Sequence, residues 1–298
     1  MSKENTAVTK KKIKRCKEDV VFDAACFIIL TLVLFVVAYP LYWVIISSIS
    51  APSAVSSGKV LLHPIGFTLK GYAEVFKNDQ VMRGFLNSLI ITFCGVMVNL
   101  IVTLPTSYAL SRSNFSGKKP ITIFYLITMF FGGGLIPTYL VIQRLQMLNT
   151  IWALILPGCL SVYNMIVART FFKSNISEEL YEAAEIDGCT QARFFFQIAL
   201  PLSKAIIAIL VLYYGVGHWN SYFSALVYIS DKAKYPLQLV LRNILITNQT
   251  ALSQTATTAA ARAALQEKQQ LIDVMKYSLI IISSIPVLVM YHWCRSTL

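Results

Sequence analysis

Charge is missing from six long windows of this sequence, 24–58, 84–111, 120–143, 145–168, 205–230 and 277–294, and the side chains within them are mostly apolar. About 20 apolar residues carry a helix across the hydrocarbon core of a bilayer, so each window can hold one span, the last only barely. Backbone groups in lipid find no water, and a spanning run must therefore satisfy its hydrogen bonds internally. The expected fold class is all-α, a polytopic membrane protein with six transmembrane helices. The whole chain agrees: 56% of its 298 residues are hydrophobic and only 13% are charged, a balance foreign to ordinary soluble domains.

The net charge of +12 does not imply a nucleic-acid partner, because seven of the 26 basic residues (Lys3, Lys10, Lys11, Lys12, Lys14, Arg15 and Lys17) stand just ahead of the first window. That placement marks a cytoplasmic end. The same cations can also rest on anionic membrane lipid. Six crossings from there put both termini and the loops 112–119 and 173–204 inside, and the loops 59–83 and 231–276 outside. The outer loops carry ten basic residues, a bias that counts little in long translocated segments. The first window is far longer than a signal-peptide core, so the N-terminal segment is expected to stay as an anchor. In this topology Cys16, Cys26, Cys94, Cys159, Cys189 and Cys294 lie inside or within windows, without a disulfide framework or a metal-ligand spacing.

A polar stretch separates the fourth and fifth windows. Ser177 can cap a helix whose first turn carries Glu178 and Glu179, and Gly188 can supply the left-handed residue that ends it. Thr190 can cap a second segment, basic and aromatic through Arg193, Phe194, Phe195 and Phe196, before Leu200-Pro201 returns the chain to an apolar run. The expected result is a helix–Gly–helix elbow. A Glu-Ala-Ala tripeptide alone would carry no information, since both residue types simply favour helix. Here Glu182-Ala183-Ala184, Gly188 and Ile198-Ala199-Leu200-Pro201 occur together, and the set resembles the cytoplasmic loop of the inner-membrane subunits of ABC importers. The string from Phe130 to Asn149 resembles the oligosaccharide branch of the maltose-type permeases, often labelled LplC-like or YtcP-like. Phe85-Leu86-Asn87-Ser88-Leu89 resembles that family's entry to its second span, and the resemblance covers roughly residues 85–293.

The resemblance implies a type I importer permease fold and a subunit of the bacterial inner (cytoplasmic) membrane that moves a sugar or oligosaccharide inward by alternating access. By the same resemblance it is not an enzyme. ATP and Mg would sit on two partner ATPase subunits, with no cofactor in this chain. A second, homologous permease subunit and an extracytoplasmic solute-binding protein complete the implied partners. Coupling to the ATPase falls to Glu182, Ala183, Ala184, Asp187, Gly188, Arg193 and Pro201, with Glu182 facing a basic residue and the two alanines keeping the docking face small. The implied division is a basic segment 1–21, a first helix with its outer loop 22–84, a core 85–293 (coupling loop 174–202, outer loop 229–274), and a tail 294–298. That tail departs from the longer Gly- and Lys-containing tail usual for these permeases, which puts a tail-mediated ATPase contact in doubt. The outer loop is expected to contain a helix in its Asn/Gln/Thr/Ala-rich part, 248–270, where Ala256–Ala264 favours one.

Candidates for the solute path follow from sugar chemistry, in which aromatic faces cover C–H patches while amides and hydroxyls answer hydroxyl groups. Trp219, Asn220 and Tyr222 fit, although consecutive positions on one helix cannot all face one cavity, and packing is the alternative. Tyr163 and Asn164 are further candidates; Asn164 lies deep enough to need either a helix–helix hydrogen bond or a ligand. Gly132, Gly133, Gly134 and Pro137 permit a helix break beside a cavity or a close helix crossing. Asn87, Asn99 and Pro105 in the second window need neighbouring helices. No metal site is expected at His218. Two other functions are weighed: an importer for a non-sugar solute, since the elbow is shared among importers, and an integral-membrane enzyme acting on lipid-linked sugar. The latter needs charges clustered at a membrane face, which these windows lack, and the sequence holds neither a P-loop nor HExxH.

Overall fold

The computed structural model describes residues 17–251 and 259–297. The basic cluster ahead of Lys17, Cys16, and residues 252–258 of the Ala-rich stretch lie outside the described residues. All regular structure among the described residues is helical.

The order begins with α1 (Lys17–Ser48), α2 (Pro52–Ser56), α3 (Lys70–Lys77) and α4 (Asp79–Ser111). Helix α1 is apolar on every side and buries only Ile46, Ser47 and Ser48 at its end. Three aromatic side chains near that end hold the following loop: Tyr39 and Tyr42 donate to the carbonyls of Leu61 and Leu62, and Trp43 Nε1 to that of Val60. Helix α4 is the axis of the bundle. Asn78 caps it, accepting from the backbone N–H groups of Gln80 (3.0 Å) and Val81 (3.2 Å). Its buried stripe is built of small and polar residues (Gly84, Ser88, Thr92, Gly95, Asn99, Thr103, Ser107), which lets other helices approach its backbone closely.

Around α4 stand α8 (Val162–Asn175), α12 (Lys204–Trp219) and α14 (Leu237–Ala251), and α15 (Ala259–Thr297) packs on α12 and α14. The residues resembling a family entry motif hold the outer segment in place: Asn87 Nδ2 donates to the carbonyls of Ala233 and Tyr235, and Ser88 Oγ accepts from Leu237 N–H.

Three helices, Lys17–Ser48, Asp79–Ser111 and Gln269–Thr297, are long and apolar enough to cross a membrane unbroken, and three further runs do so only as bent pairs. This modifies the expectation of continuous spans in the third, fourth and fifth windows. In the third, α5 (Lys118–Phe130) and α6 (Leu135–Arg144) meet at 113°. The cause is local: Gly134 sits at φ 85°, in the left-handed region open to glycine, and Thr138 Oγ1 closes onto its carbonyl at 2.7 Å. Of the two readings left open for the glycines, the break is the one realised; a Cβ on Gly132 or Gly134 would meet nothing within 4 Å, so no helix crosses there. In the fourth, α7 (Trp152–Ile155) runs into a 3-10 turn at Pro157 and the chain bends by 52° before α8. In the fifth, α12 ends at Trp219 and α13 (Tyr222–Tyr228) starts anew, so Trp219, Asn220 and Tyr222 do not share one helix.

Candidate functional site

The elbow forms as its side chains dictate. Ser177 Oγ accepts from Leu180 N–H (3.3 Å) to open α9 (Glu178–Ile186). Gly188, at φ 76°, closes it: its N–H donates to Glu185 and that of Cys189 to the carbonyl of Ala184 at 2.9 Å. This is the Schellman arrangement, which requires a left-handed residue at Gly188. Thr190 Oγ1 then caps α10 (Gln191–Phe194), and Arg193 Nε donates to Gln197 Oε1 at 2.9 Å. A π-helical turn, Phe195–Ala199, and α11 (Leu200–Leu202), which holds Pro201, lead to an 80° bend into α12.

One side of the elbow is glued to the bundle and the other is bare. Tyr181, Ala184, Phe194 and Phe195 are buried among Leu104, Tyr108 and Phe172. Glu182, Ala183, Asp187, Gly188 and Arg193 are exposed. Ala184 therefore does not share the free face expected of it; its small side chain lets α9 lie close on the core. Ile186 is the residue that composition alone would not have chosen, an apolar side chain 87% exposed at the free end of α9.

A second feature lies at the broken ends of the fourth and fifth windows, where a cavity of about 480 Å³ opens between the Pro157 turn, α8, α12 and α13. Ser161, Asn164, Tyr213, His218, Ser221 and Ser224 contribute to its wall, which includes no Asp, Glu, Lys or Arg. Behind the wall runs a hydrogen-bond network. Asn99, fully buried on α4, donates to the carbonyls of Gly158 (2.8 Å) and Cys159 (2.9 Å) that the bend leaves without helical partners, and its Oδ1 pairs with His218 Nε2 at 2.7 Å. An amide oxygen only accepts, so Nε2 carries the proton. Tyr214 OH pairs with Thr103 Oγ1 (2.7 Å) and accepts from Ser161 N–H (3.2 Å).

Of the solute-path candidates, Asn164 stands on this wall. Trp219 lies in the core instead, 1% exposed, with Nε1 donating to Ser283 O at 2.9 Å and its ring edge-on to Phe85. Asn220 turns back to the carbonyl of Val216, while Tyr163 and Tyr222 are exposed away from the cavity. His218 is the wall residue whose partner the sequence did not reveal, since Asn99 lies 119 positions away.

The fit at His218 yields an expected result. A Cβ on Gly95 would come within 2.5 Å of His218 Nε2. Gly95→Ala should swing the ring off Asn99 and destabilise the fold by about 1–3 kcal/mol, the usual cost of orphaning a buried polar group. A lowered melting temperature of the purified protein checks this, and an unchanged one would show the ring to be free to move.

No family model matches this chain. Among curated proteins it is 34% identical over 274 residues to the polygalacturonan/rhamnogalacturonan transport system permease protein YtcP of Bacillus subtilis strain 168, covering 92% of this chain and 93% of that one. It is 36% identical over 275 residues to Protein LplC of the same strain, covering 92% and 90%. Among solved structures it matches a chain of a bacterial ABC transporter involved in the import of the acidic polysaccharide alginate, with TM-score 0.84 and 26% identity over 95% of this chain and 98% of that one. Agreement in sequence, in fold and over nearly the full length of each relative leads to one conclusion: the chain belongs to the permease family of ABC sugar-transport systems.

Proposed function

We propose that this permease works as one of a pair, with two ATPase subunits beneath it and a solute-binding protein above it, and that it carries an oligosaccharide inward by alternating access. Both termini lie in the cytoplasm in this reading, ATP and Mg stay on the ATPase subunits, and the bundle reverses its opening as the elbow is driven. The observation that carries it is the two-sided elbow: one face packs into the bundle and the other presents Glu182, Ala183 and Ile186 with nothing over them among the described residues. A lever joined to a bistable bundle has this form. The hydroxyl- and amide-lined cavity at the bends supports a carbohydrate solute, whose hydroxyl groups it can answer with hydrogen bonds. The names of the relatives point to oligosaccharides of polygalacturonan or alginate kind.

The experiment is reconstitution of the four-component complex in proteoliposomes, followed by uptake and hydrolysis together. ATP-dependent uptake of oligogalacturonides is the expected result. Asn164→Ala should lower that uptake about tenfold, within the range for losing a buried ligand hydrogen bond, while hydrolysis stimulated by the binding protein persists. Equal loss of both activities would assign Asn164 to helix packing.

A further inference from the structure

Besides the apolar packing on Leu104 and Tyr108, a polar tie joins the elbow to the end of α4. Arg112, the first residue beyond α4, is 9% exposed although it is charged. Its Nη2 donates to the carbonyls of Phe172 (3.4 Å), which also accepts from Ile176 N–H, and of Ile176 (3.2 Å), just past the end of α8. Nε reaches Ser111 Oγ, and the guanidinium lies 5.1 Å from the ring centre of Tyr108. Tyr108 in turn packs against Phe172, Phe194 and Phe195, from both α8 and the elbow. The remaining arm, Nη1, has no hydrogen bond but faces Glu178 Oε2 at 3.7 Å. The other oxygen of Glu178 accepts from Ser113 N–H at 3.2 Å. The first residue of α9 thus holds both Arg112 and Ser113, just past the end of α4.

We propose that Arg112 and Glu178 are positioning residues for transport, the joint through which a movement of the elbow becomes a movement of α4. The inference rests on the coupling reading above and extends it to residues outside the Glu-Ala-Ala motif. The pair is loose at 3.7 Å, whereas a charge-assisted N–H···O bond closes to about 2.7–2.9 Å, so a shift of α9 by roughly 1 Å converts one state of the joint into another. Thirteen residues and about 20 Å back along the same helix, Asn99 holds His218 and the Pro157 bend. Pro105 lies between, where a missing backbone N–H lets a pull at Arg112 bend the helix. The joint therefore connects the free face of the elbow with the cavity wall.

The test uses the complete complex in nanodiscs. Ser221→Cys on the cavity wall is the reporter, in a background with the native cysteines replaced by serine, and a membrane-impermeant maleimide reads its exposure before and after ATP is trapped with vanadate. With Arg112 and Glu178 intact, trapping is expected to change the labelling rate by about ten- to a hundredfold, the span of ordinary coupling energies. Arg112→Gln and Glu178→Gln should each bring that ratio down about tenfold while nucleotide is still trapped, the double variant should be no worse than the single ones, and Arg112→Lys should recover part of the ratio. If Arg112→Gln fails to assemble, Glu178→Gln decides, since that side chain is 43% exposed at the rim. A wild-type ratio in Glu178→Gln, or strictly additive losses, overturns the joint. A complex with both residues intact that traps nucleotide without any change in labelling overturns the coupling reading itself, and the joint with it.

Discussion

Valine in place of Gly188 is expected to reduce sugar uptake and binding-protein-stimulated ATP hydrolysis by tenfold or more, in keeping with the roughly 1–3 kcal/mol that couples distant sites. Space is not the reason, because a Cβ there would meet nothing within 4 Å. The reason is the backbone: φ is 76°, and a β-branched residue pays about 1–2 kcal/mol or more to stay in that region. The cheapest escape is to unwind the closing turn, losing the bonds from Gly188 to Glu185 and from Cys189 to Ala184 and re-aiming α10. Membrane insertion should survive, since the buried face of α9 is anchored by Tyr181 and Ala184. Gly188→Asn should be milder, as asparagine tolerates left-handed backbone. Glu182→Lys is expected to give the same uncoupling by another route, reversing an exposed charge on the docking face without touching the fold. Hydrolysis and uptake measured side by side decide the matter; wild-type values of both in Gly188→Val and Glu182→Lys would remove the elbow from the coupling pathway.

The second large effect is expected at Trp219. Truncation to alanine removes a fully buried ring, its contact with Phe85 and its bond to Ser283, a loss of about 3–5 kcal/mol. The complex should melt at a lower temperature or fail to assemble. Tyr222→Ala, on an exposed side chain nearby, should stay within about 0.5 kcal/mol of wild type unless a partner covers it. Thermal melts of the two variants separate packing from recognition. A Trp219→Ala complex that melts normally and loses only uptake would reinstate that ring as a solute contact.

The contrast between these two sites shows what the sequence made legible. The elbow was readable because its determinants are local: Ser177, Gly188 and Thr190 each act on backbone within a few residues. The apolar windows were readable because lipid forbids charge. What lipid takes away is the contrast between inside and outside. A helix that meets hydrocarbon on one side and protein on the other is apolar all round, so the pattern around Trp219 did not reveal which face was core. The three bends were hinted at by Gly134, Pro157 and Pro201, yet their angles depend on what the freed carbonyls find, and Asn99 comes from a different part of the chain. Arg112 escaped notice for a related reason: at the edge of a charge-free window it reads as a topology marker, and only the meeting of α4, α8 and α9 makes it a tie.

Helix α1 has a consequence for the order in which the protein is made. Its tyrosine and tryptophan bonds to Leu61, Leu62 and Val60 close a loop of about twenty residues and need nothing synthesised later. It also packs on α15, where Trp43 meets Tyr277 edge-on at 5.1 Å and the carbonyl of Ser48 meets Ser278. This segment can thus form its own hairpin early, but it waits for α15 before it docks. Without α15, Trp43 loses the Tyr277 ring and Ile46 loses Val274, so the hairpin of α1 stays half-covered until the last helix arrives.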